Sequence, residues 1–422
     1  MDGKKIVIGL DLNSDTTQIA VKRGQAEPEV ICLTPGGDEP EIPTCLCLRD
    51  DTRDWLFGEE AIRCRKRNGG LFIDDLLKKA EQNEEVMLFA DVAAKGSELL
   101  GRFVRKIMTV LRQRYMQDTI ERVVITMKEP SEAVYRAVTE ALLYMGIEEA
   151  AVRIQSHVQS FMYYTVSQKR ELWANDVGLF DYDRDGLKYY QLTTSRRFSP
   201  IAVSVQSTDY SEMLDYSMSS TMSEGELSYC FKTAADKAIN RQIISTIFAT
   251  GPVFEENTWC DGVLRGLCVG TARRVFKGNN LFVKGAAYAA SAEEAEWGEE
   301  FLFLSEDMIR STVSIRMFRD NRISDYPLVE AGTRWEDAKA KTVGILDDTK
   351  EIHFTLFHAM RKDTKYVVMT LRDLHQRENK TTRISIGVSF VDRDTLVITV
   401  KDLGFGRFYE NTYRVWEKVV PL

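Results

Sequence analysis

The chain has 422 residues, of which 44% are apolar and 28% are charged. This length exceeds what one hydrophobic core supports, so two or three domains are expected, and the composition excludes a mainly disordered chain. The 56 Lys and Arg residues against 64 Asp and Glu give a net charge of −8. No long basic block is present, and the short run Arg63–Arg67 is interpreted as a solvated helix end, so no nucleic-acid partner is predicted.

Cysteine usage and hydropathy indicate the compartment. The seven cysteines contain no C-x-x-C pair, so neither a zinc site nor a redox site is predicted, and a reducing cytosol fits best. The apolar run after Lys4 and Lys5 is too short for a signal peptide. No segment approaches the roughly 20 apolar residues of a membrane span. We therefore expect a soluble cytoplasmic protein without a membrane partner.

The first element is a hairpin in "KIVIGLDLNSDTTQIAVKR". An apolar run from Ile6 to Leu10 reaches Asp11, a polar turn follows, and a second extended run covers Gln18 to Val21. Further short strands are predicted in "EVICL" and "TCLCLRD", separated by the turn-rich loop "TPGGDEPEIP".

Two amphipathic helices follow, from Ser97 to Met116 and from about Ser131 to Met145, with Gly146 as the C-terminal cap of the second. Between them "ERVVITM" is predicted to be a buried strand. "AAVRIQSHVQSFMYYTV" is predicted to form a short strand and then a buried helix.

A second hairpin is predicted in "DVGLFDYDRDGLKYYQLTT", again with an acidic turn. A helix over roughly Glu224–Arg241 and the strand "IISTIFATGPVF" come next. From about Phe301 the pattern becomes strand-dominated, and "RISIGVSFVDRDTLVITVKD" is the clearest hairpin in the chain.

Two Asp-tipped hairpins in two α/β halves resemble the actin-like ATPase superfamily. Within it, the order of motifs is similar to that of the seventy-kilodalton heat-shock chaperones. The segments that carry this resemblance are "IGLDLNSDTTQIAV", "IPTCLCL…WLFGEEA", "RVVITMKEPSEAVYRAVTEALLYMGIEEAAVRI", "IFATGPVFE", "LFVKGAAYAA" and "ISIGVSFVDRDTLVITVKD".

The resemblance implies an α/β two-lobed actin-like ATPase domain followed by a β-sandwich like the chaperone peptide-binding domain. The nucleotide-binding-type domain is expected over residues 1–296, with lobe I at about 1–174 and a trimmed lobe II at about 175–296. A linker is expected at 297–306 and the β-sandwich at 307–422. The chain reaches Leu422 without the family's helical lid.

The resemblance also assigns candidate site residues. The phosphate-loop equivalents are Asp11, Asn13, Ser14, Asp15, Asp181, Asp183, Asp185 and Gly186. The adenosine-strand equivalents are Thr250 and Gly251, the apolar interdomain linker is Phe301, Leu302, Phe303 and Leu304, and the peptide groove is placed near Val343 and Ile345.

The sequence departs from the family's motifs at the positions where the family binds phosphate and carries its catalytic residues. Asn13, Ser14 and Asp15 replace the family's G-T-T, and Asp15 puts a carboxylate where phosphate oxygens would lie. Asp, Arg and Asp replace three glycines of the second loop at 183–185. "QSHV" at 155–158 stands where the family has a catalytic glutamate, and neither Lys78 nor Lys79 is assigned as the catalytic lysine.

Two interpretations stay open for the acidic turns. Asp11 is either a metal–water ligand or a hairpin turn residue. Asp183 and Asp185 either form a cation site or an acidic surface turn. The four histidines are scattered, so no Ser/His or Cys/His triad is predicted, and no metal site or catalytic residue is assigned.

The sequence therefore predicts a chaperone-like pseudo-ATPase that binds proteins or extended peptide segments and needs no cofactor. One alternative is an active ATP-dependent chaperone with altered phosphate loops, using ATP and magnesium. The other is a small-molecule kinase of the same superfamily, which the β domain disfavours.

Overall fold

The structure of the protein is a computed structural model that describes residues 4–33, 39–89, 91–197, 199–292, 299–361 and 364–422. The predicted loop "TPGGDEPEIP" lies partly outside these residues, as do the predicted end of lobe II at 296 and the start of the linker at 297. The chain divides into two compact units. Unit one comprises Met1–Leu192 and Gln206–Glu299, and unit two comprises Thr193–Val205 and Glu300–Leu422.

The first half of unit one contains a central sheet, flanking helices and smaller strands. Its strands are β1 (Lys5–Leu12), β2 (Thr16–Arg23), β3 (Glu29–Val30), β4 (Ile42–Pro43), β5 (Leu46–Arg49), β6 (Trp55–Phe57), β7 (Gly70–Ile73), β8 (Glu85–Phe89), β9 (Val92–Lys95), β10 (Thr119–Met127) and β11 (Val152–Ser156). Its helices are α1 (Gly58–Lys66), α2 (Leu76–Glu81), α3 (Gly96–Arg114), α4 (Glu132–Tyr144) and α5 (His157–Ser167).

The central sheet of this half has the order β11-β10-β1-β2-β3, with β4 also paired to β2. Strand β1 pairs antiparallel with β2 and parallel with β10. From Ile6 onward β1 is buried on both faces, which explains its unbroken apolar sequence. The carboxyl ends of β1, β10 and β11 therefore lie side by side at one edge of the sheet.

The helices of this half match their sequence signals. The Ser131 side chain caps α4 by accepting a hydrogen bond from the Val134 backbone N–H. Gly146 follows that helix with a φ of +74°, a left-handed conformation that favours glycine at a helix end. Of "EVICL", only Glu29–Val30 forms a strand.

The second half of unit one has a similar sheet. Its strands are β12 (Asp176–Asp183), β13 (Gly186–Ser195), β14 (Ile201–Asp209), β15 (Ile244–Thr250) and β16 (Arg274–Lys277). Residues 193–195 of β13 and 201–205 of β14 belong to unit two. Its helices are α6 (Met218–Thr221), α7 (Glu224–Ile239), α8 (Pro252–Glu256), α9 (Asp261–Gly266) and α10 (Leu281–Ala292). Strand β12 pairs antiparallel with β13 and parallel with β15, so each half has a hairpin whose first strand also pairs with a later parallel strand.

Helix α10 connects this second half to the first sheet. A Cβ built at Gly9 of β1 would lie 2.4 Å from the Val283 carbonyl oxygen of α10. A Cβ at Gly285 of α10 would lie 2.0 Å from the Ser160 carbonyl oxygen of α5. Glycine at both positions lets the backbones approach this closely, so α10 packs directly on β1 and α5.

Unit two is built from strands. These are β17 (Phe301–Leu304), β18 (Ser311–Arg319), β19 (Arg322–Val329), β20 (Ala340–Ile345), β21 (Glu351–His358), β22 (Thr364–Thr370), β23 (Arg383–Asp392), β24 (Thr395–Asp402) and β25 (Val415–Pro421). The antiparallel sheets β19-β18-β21-β22 and β20-β23-β24-β25 contribute to one apolar core. The alternating positions predicted in "EIHFTLFHAM" and in the β23–β24 hairpin point into this core.

The predicted linker Phe301–Leu304 is a strand in this structure. It forms β17 and pairs in parallel with Ile201–Ser204 of β14. Ala202 and Leu304 share a small buried cluster with Ala359. The strand β17 and the segment Thr193–Val205 both belong to unit two.

None of the described helices is long and apolar enough to cross a membrane.

Candidate functional site

The turn of the first hairpin is held by Asp11, a buried residue near the end of β1. The Asn13 side-chain amide donates to Asp11 Oδ1 over 3.0 Å. The Asn13 backbone N–H donates to the Thr16 carbonyl oxygen over 3.2 Å and closes the turn. Ser14 and Asp15 at its tip are exposed. Asp11 thus has a structural role as the acceptor that orders the turn.

His157 is the second partner of Asp11. It opens α5, is buried, and places Nε2 2.8 Å from the accepting Asp11 Oδ1. Its ring stacks on Phe282 of α10 at a centroid distance of 4.0 Å. Sequence analysis left His157 without a partner because 146 positions separate it from Asp11. The two meet because the neighbouring strands β1, β10 and β11 end at the same edge of the sheet.

The turn of the second hairpin carries a denser set of charges. Asp181 is buried within β12, Asp183 ends that strand, and Arg184 and Asp185 are exposed at the tip. Asp183 Oδ1 accepts a hydrogen bond from the Asp185 backbone N–H over 2.9 Å. Gly186 has a φ of +90°, and a Cβ there would lie 2.6 Å from the Ser211 Cβ. Glycine is therefore required at this one position of the turn.

Lys128 is the functional residue that sequence reasoning missed. It follows β10 directly, and its Nζ donates to Asp183 Oδ2 over 2.6 Å and to Asp185 Oδ2 over 2.5 Å. Lys78 and Lys79 are not part of this cluster, and Lys79 lies 3.9 Å from Glu84 instead. The available signal was its position: a lysine just after a buried strand parallel to β1 must lie close to Asp11.

The ionisation of this cluster follows from its contacts. Burial alone would lower the pKa of Lys128, but the charge of Asp183 and the hydrogen bonds to both carboxylates outweigh it and raise that pKa. The same hydrogen bond holds the pKa of Asp185 below its ordinary value. The ammonium of Lys128 thus lies between two carboxylates, which favour its protonated form.

One ion pair joins the two turns directly. Arg184 Nε of the second turn lies 2.8 Å from Asp15 Oδ2 of the first, with side chains 64% and 44% exposed. Burial raises the pKa of Asp15, against the lowering effect of Arg184 and with smaller raising contributions from Asp75 and Asp183. The Asp15 carboxylate, which the resemblance puts where phosphate oxygens would lie, contacts a guanidinium of the same chain.

Asp181 is the most perturbed carboxyl of the cluster. Complete burial, and then the charge of Asp183, raise its pKa to about 7, while His157 and Lys128 act in the opposite direction. Near neutral pH this side chain therefore takes up and releases a proton.

Thr250 and Gly251 lie beside the second hairpin. Thr250 pairs in register with Asp181, and its Oγ1 has no hydrogen-bond partner among the described residues. Gly251 has a φ of +103°, and a Cβ there would lie 2.5 Å from the Tyr182 carbonyl oxygen. Gly251 is therefore explained by close packing of backbone on β12.

The charged side chains of the two turns are paired with one another or with Lys128 in this structure. A phosphate chain between the turns would have to break the contact of Arg184 with Asp15 and share Asp183 with the Lys128 ammonium. In the described part of the chain, no group of three or more His, Cys, Asp and Glu residues is arranged to hold a metal ion. In this structure Asp11 accepts hydrogen bonds from Asn13 and His157, and Asp183 is paired with Lys128.

A polar hollow of about 350 Å³ adjoins the second turn. Its lining consists of charged and hydroxyl side chains: Arg184, Asp185, Ser211, Glu212, Asp215 and Tyr216. Three of these side chains are acidic and one is basic, so the lining is predominantly acidic.

The predicted groove residues lie on β20 of unit two. Val343 and Ile345 are 54% and 52% exposed and alternate on the outer face of this strand. Strand β20 pairs with β23 and lies at the edge of its sheet. The structure therefore presents both side chains on a sheet edge rather than in a closed groove.

Comparisons with known proteins give families without an assigned function. Residues 308–422 match a family described as a domain of unknown function, DUF8552. No curated protein matches the chain. Residues 27–306 match the description "Family of unknown function (DUF5716) C-terminal". Because this match covers more than half of the 422 residues, the chain belongs to the DUF5716 family.

Proposed function

We propose that the protein is a chaperone-like pseudo-ATPase, in which unit one is an actin-like two-lobed domain that binds no nucleotide and unit two binds proteins or extended peptide segments. The observation that carries the proposal is the pairing of both hairpin turns with cations of the chain itself, Lys128 and Arg184. Two similar hairpins, each with a parallel neighbour, support the actin-like architecture.

The charge distribution supports the loss of nucleotide binding. Asp15, Asp183 and Asp185 put three carboxylates near the two turns, and each is matched by a lysine or arginine of the chain. Like charges at contact distance repel by about 1 kcal/mol in water and by several times more in a partly buried site. A triphosphate would therefore meet carboxylates whose counter-charges are already engaged.

Three of the four edge strands in the two four-stranded sheets of unit two carry features that hinder the pairing of a further strand. Lys365 Nζ donates to the Pro421 carbonyl oxygen over 2.5 Å, and Lys418 Nζ donates to the Val368 carbonyl oxygen over 2.7 Å. These lysines bridge the edge strands β22 and β25, and β19 carries Pro327. Lysine bridges and proline are features that block pairing at a sheet edge.

Strand β20 differs from these edges. It contains no proline, its pairing with β23 is regular over Ala340–Ile345, and Val343 and Ile345 project from it. An extended segment with apolar side chains at alternate positions fits such an edge by strand addition. We accordingly propose extended protein segments as the partner and the cytoplasm as the compartment, which the seven free cysteines support.

Calorimetric titration with ATP and magnesium tests the pseudo-ATPase proposal. The wild-type chain should give no binding heat at millimolar ATP, since Lys128 and Arg184 keep the turns closed. Micromolar affinity, or ATP turnover lost in Asp11→Ala or Asp181→Ala, would refute it in favour of an active chaperone.

A fluorescent peptide of alternating leucine and threonine tests the β20 edge. Val343→Lys should weaken its binding at least about five-fold, because a charge then stands where an apolar side chain docks. Val419→Lys is the matched control, since Val419 is 57% exposed and lies on the bridged edge strand β25. Equal effects of both substitutions would refute the assignment of β20.

A further inference from the structure

The two hairpin turns of unit one come from different halves of that unit and are joined through charged side chains. Asp15 and Lys128 belong to the first half, and Asp183, Arg184 and Asp185 belong to the second. The contacts are Arg184 with Asp15 at 2.8 Å, and Lys128 with Asp183 at 2.6 Å and Asp185 at 2.5 Å. These five residues are called the latch below.

Apolar packing does not hold the tips of the turns together. Residues 13–15 and 183–185 are polar or charged, and each is exposed or half-buried. The apolar residues of the strands that carry the turns are buried below this level, in cores such as the one that includes Leu10 and Leu12 and the one that includes Phe180 and Tyr182. The packing of α10 on β1 and α5 holds the two halves together below the turns, and the ion pairs are the contacts that join the tips themselves.

We propose that the latch is a salt-labile contact between the two hairpin turns, opened by ionic strength rather than by a nucleotide. The proposal concerns the conformation of unit one and does not depend on the proposed function, because the contacts exist whether or not a nucleotide can bind.

The two parts of the latch differ in their exposure to salt. Arg184 and Asp15 are 64% and 44% exposed, whereas Lys128 and Asp183 are 23% and 27% exposed. Screening weakens exposed pairs most, because the Debye length falls from about 10 Å at 0.1 M salt to about 3 Å at 1 M. The Arg184–Asp15 contact opens first, and the Lys128–Asp183 contact persists to higher salt.

Hydrogen exchange followed by mass spectrometry measures this opening on the intact chain. Peptides covering 11–18 and 181–188 report the two turns. Raising NaCl from about 0.05 M to about 1 M should accelerate their exchange by roughly five-fold, the size expected for loss of an exposed ion pair. Peptides from β18 and β21 of unit two should not change.

Arg184→Gln should reproduce the high-salt exchange at low salt and remove most of the salt dependence. Arg184→Lys keeps the positive charge and should therefore retain the salt dependence of the wild type. The matched control is Arg274→Gln, because Arg274 pairs with Glu171 at 3.0 Å with similar exposure, 54% and 58%, and is not part of the latch. Arg274→Gln should leave the turn peptides unchanged.

Two results would overturn the latch. One is wild-type exchange at the turns that does not respond to salt, and the other is Arg184→Gln with wild-type protection. Lys128→Gln adds a second measurement, since it should accelerate exchange of the 181–188 peptide more than of the 11–18 peptide. Neither outcome depends on nucleotide titration, so failure of the latch and failure of the pseudo-ATPase proposal are separable.

Discussion

Replacing Lys128 by methionine removes the ammonium from between Asp183 and Asp185 while keeping the length of the side chain. Loss of the charged hydrogen bond to half-buried Asp183 costs about 1.5–3 kcal/mol, and loss of the contact with the more exposed Asp185 adds about 0.5 kcal/mol. The buried Asp181 also loses the Lys128 charge, which acts to lower its pKa. We therefore expect Lys128→Met to lower the free energy of unfolding of unit one by about 2–3 kcal/mol.

The same substitution at Lys5 is the control. Lys5 forms an ion pair with Glu121 in unit one, and its side chain is 71% exposed, so Lys5→Met should cost less than about 1 kcal/mol. Exchange of the most protected amides of β12 and β13 gives the unfolding free energy of this unit separately from unit two. A loss at Lys128 no larger than at Lys5 would refute the assignment of Lys128 as the counter-charge of the second turn.

Further predictions concern single positions. The free energy of unfolding of the wild type relative to Asp181→Asn should fall as pH rises from about 4 to 7, by up to about 1.4 kcal/mol per pH unit. The reason is the raised pKa of Asp181 (about 7), which makes the folded state bind the proton more tightly than the unfolded state. A difference in unfolding free energy that does not change with pH would refute this prediction. Gly251→Ala should cost more than about 2 kcal/mol in thermal unfolding because of its close backbone contact and positive φ, whereas Gly262→Ala, with open space around it, should be neutral or stabilising. Arg377→Met should destabilise unit two by about 3–5 kcal/mol in urea unfolding, because it leaves buried Asp402 without the cation that helps to lower its pKa. A loss of unfolding free energy below about 1 kcal/mol would contradict this role of Arg377.

Local patterns in the sequence were sufficient for most elements of the fold. Alternation predicted the β23–β24 hairpin, and a 3.6-residue period predicted α3 and α4 within one or two residues of their ends. These signals depend on neighbours along the chain, so they survive without knowledge of tertiary packing. Phe301–Leu304 was predicted to be a linker and forms the strand β17, because an apolar linker and a short, partly buried strand have the same composition.

The site was only partly predictable because its contacts join residues that lie far apart in the sequence. Asp11, Asp15 and Asp183 could be singled out because they stand at hairpin turns. Their partners Lys128 and His157 lie 55 or more positions away from them, and such distances leave no periodic signal. Arg184 was noticed only as a residue that fills space, because its pairing with Asp15 depends on how the two halves of unit one meet.

A crystal structure of the wild-type chain grown with saturating ATP and magnesium tests the central claim most directly. The account predicts that Arg184 remains paired with Asp15, that Lys128 remains between Asp183 and Asp185, and that no nucleotide lies between the turns. Phosphate density between the two hairpins, with these ion pairs broken, would contradict it.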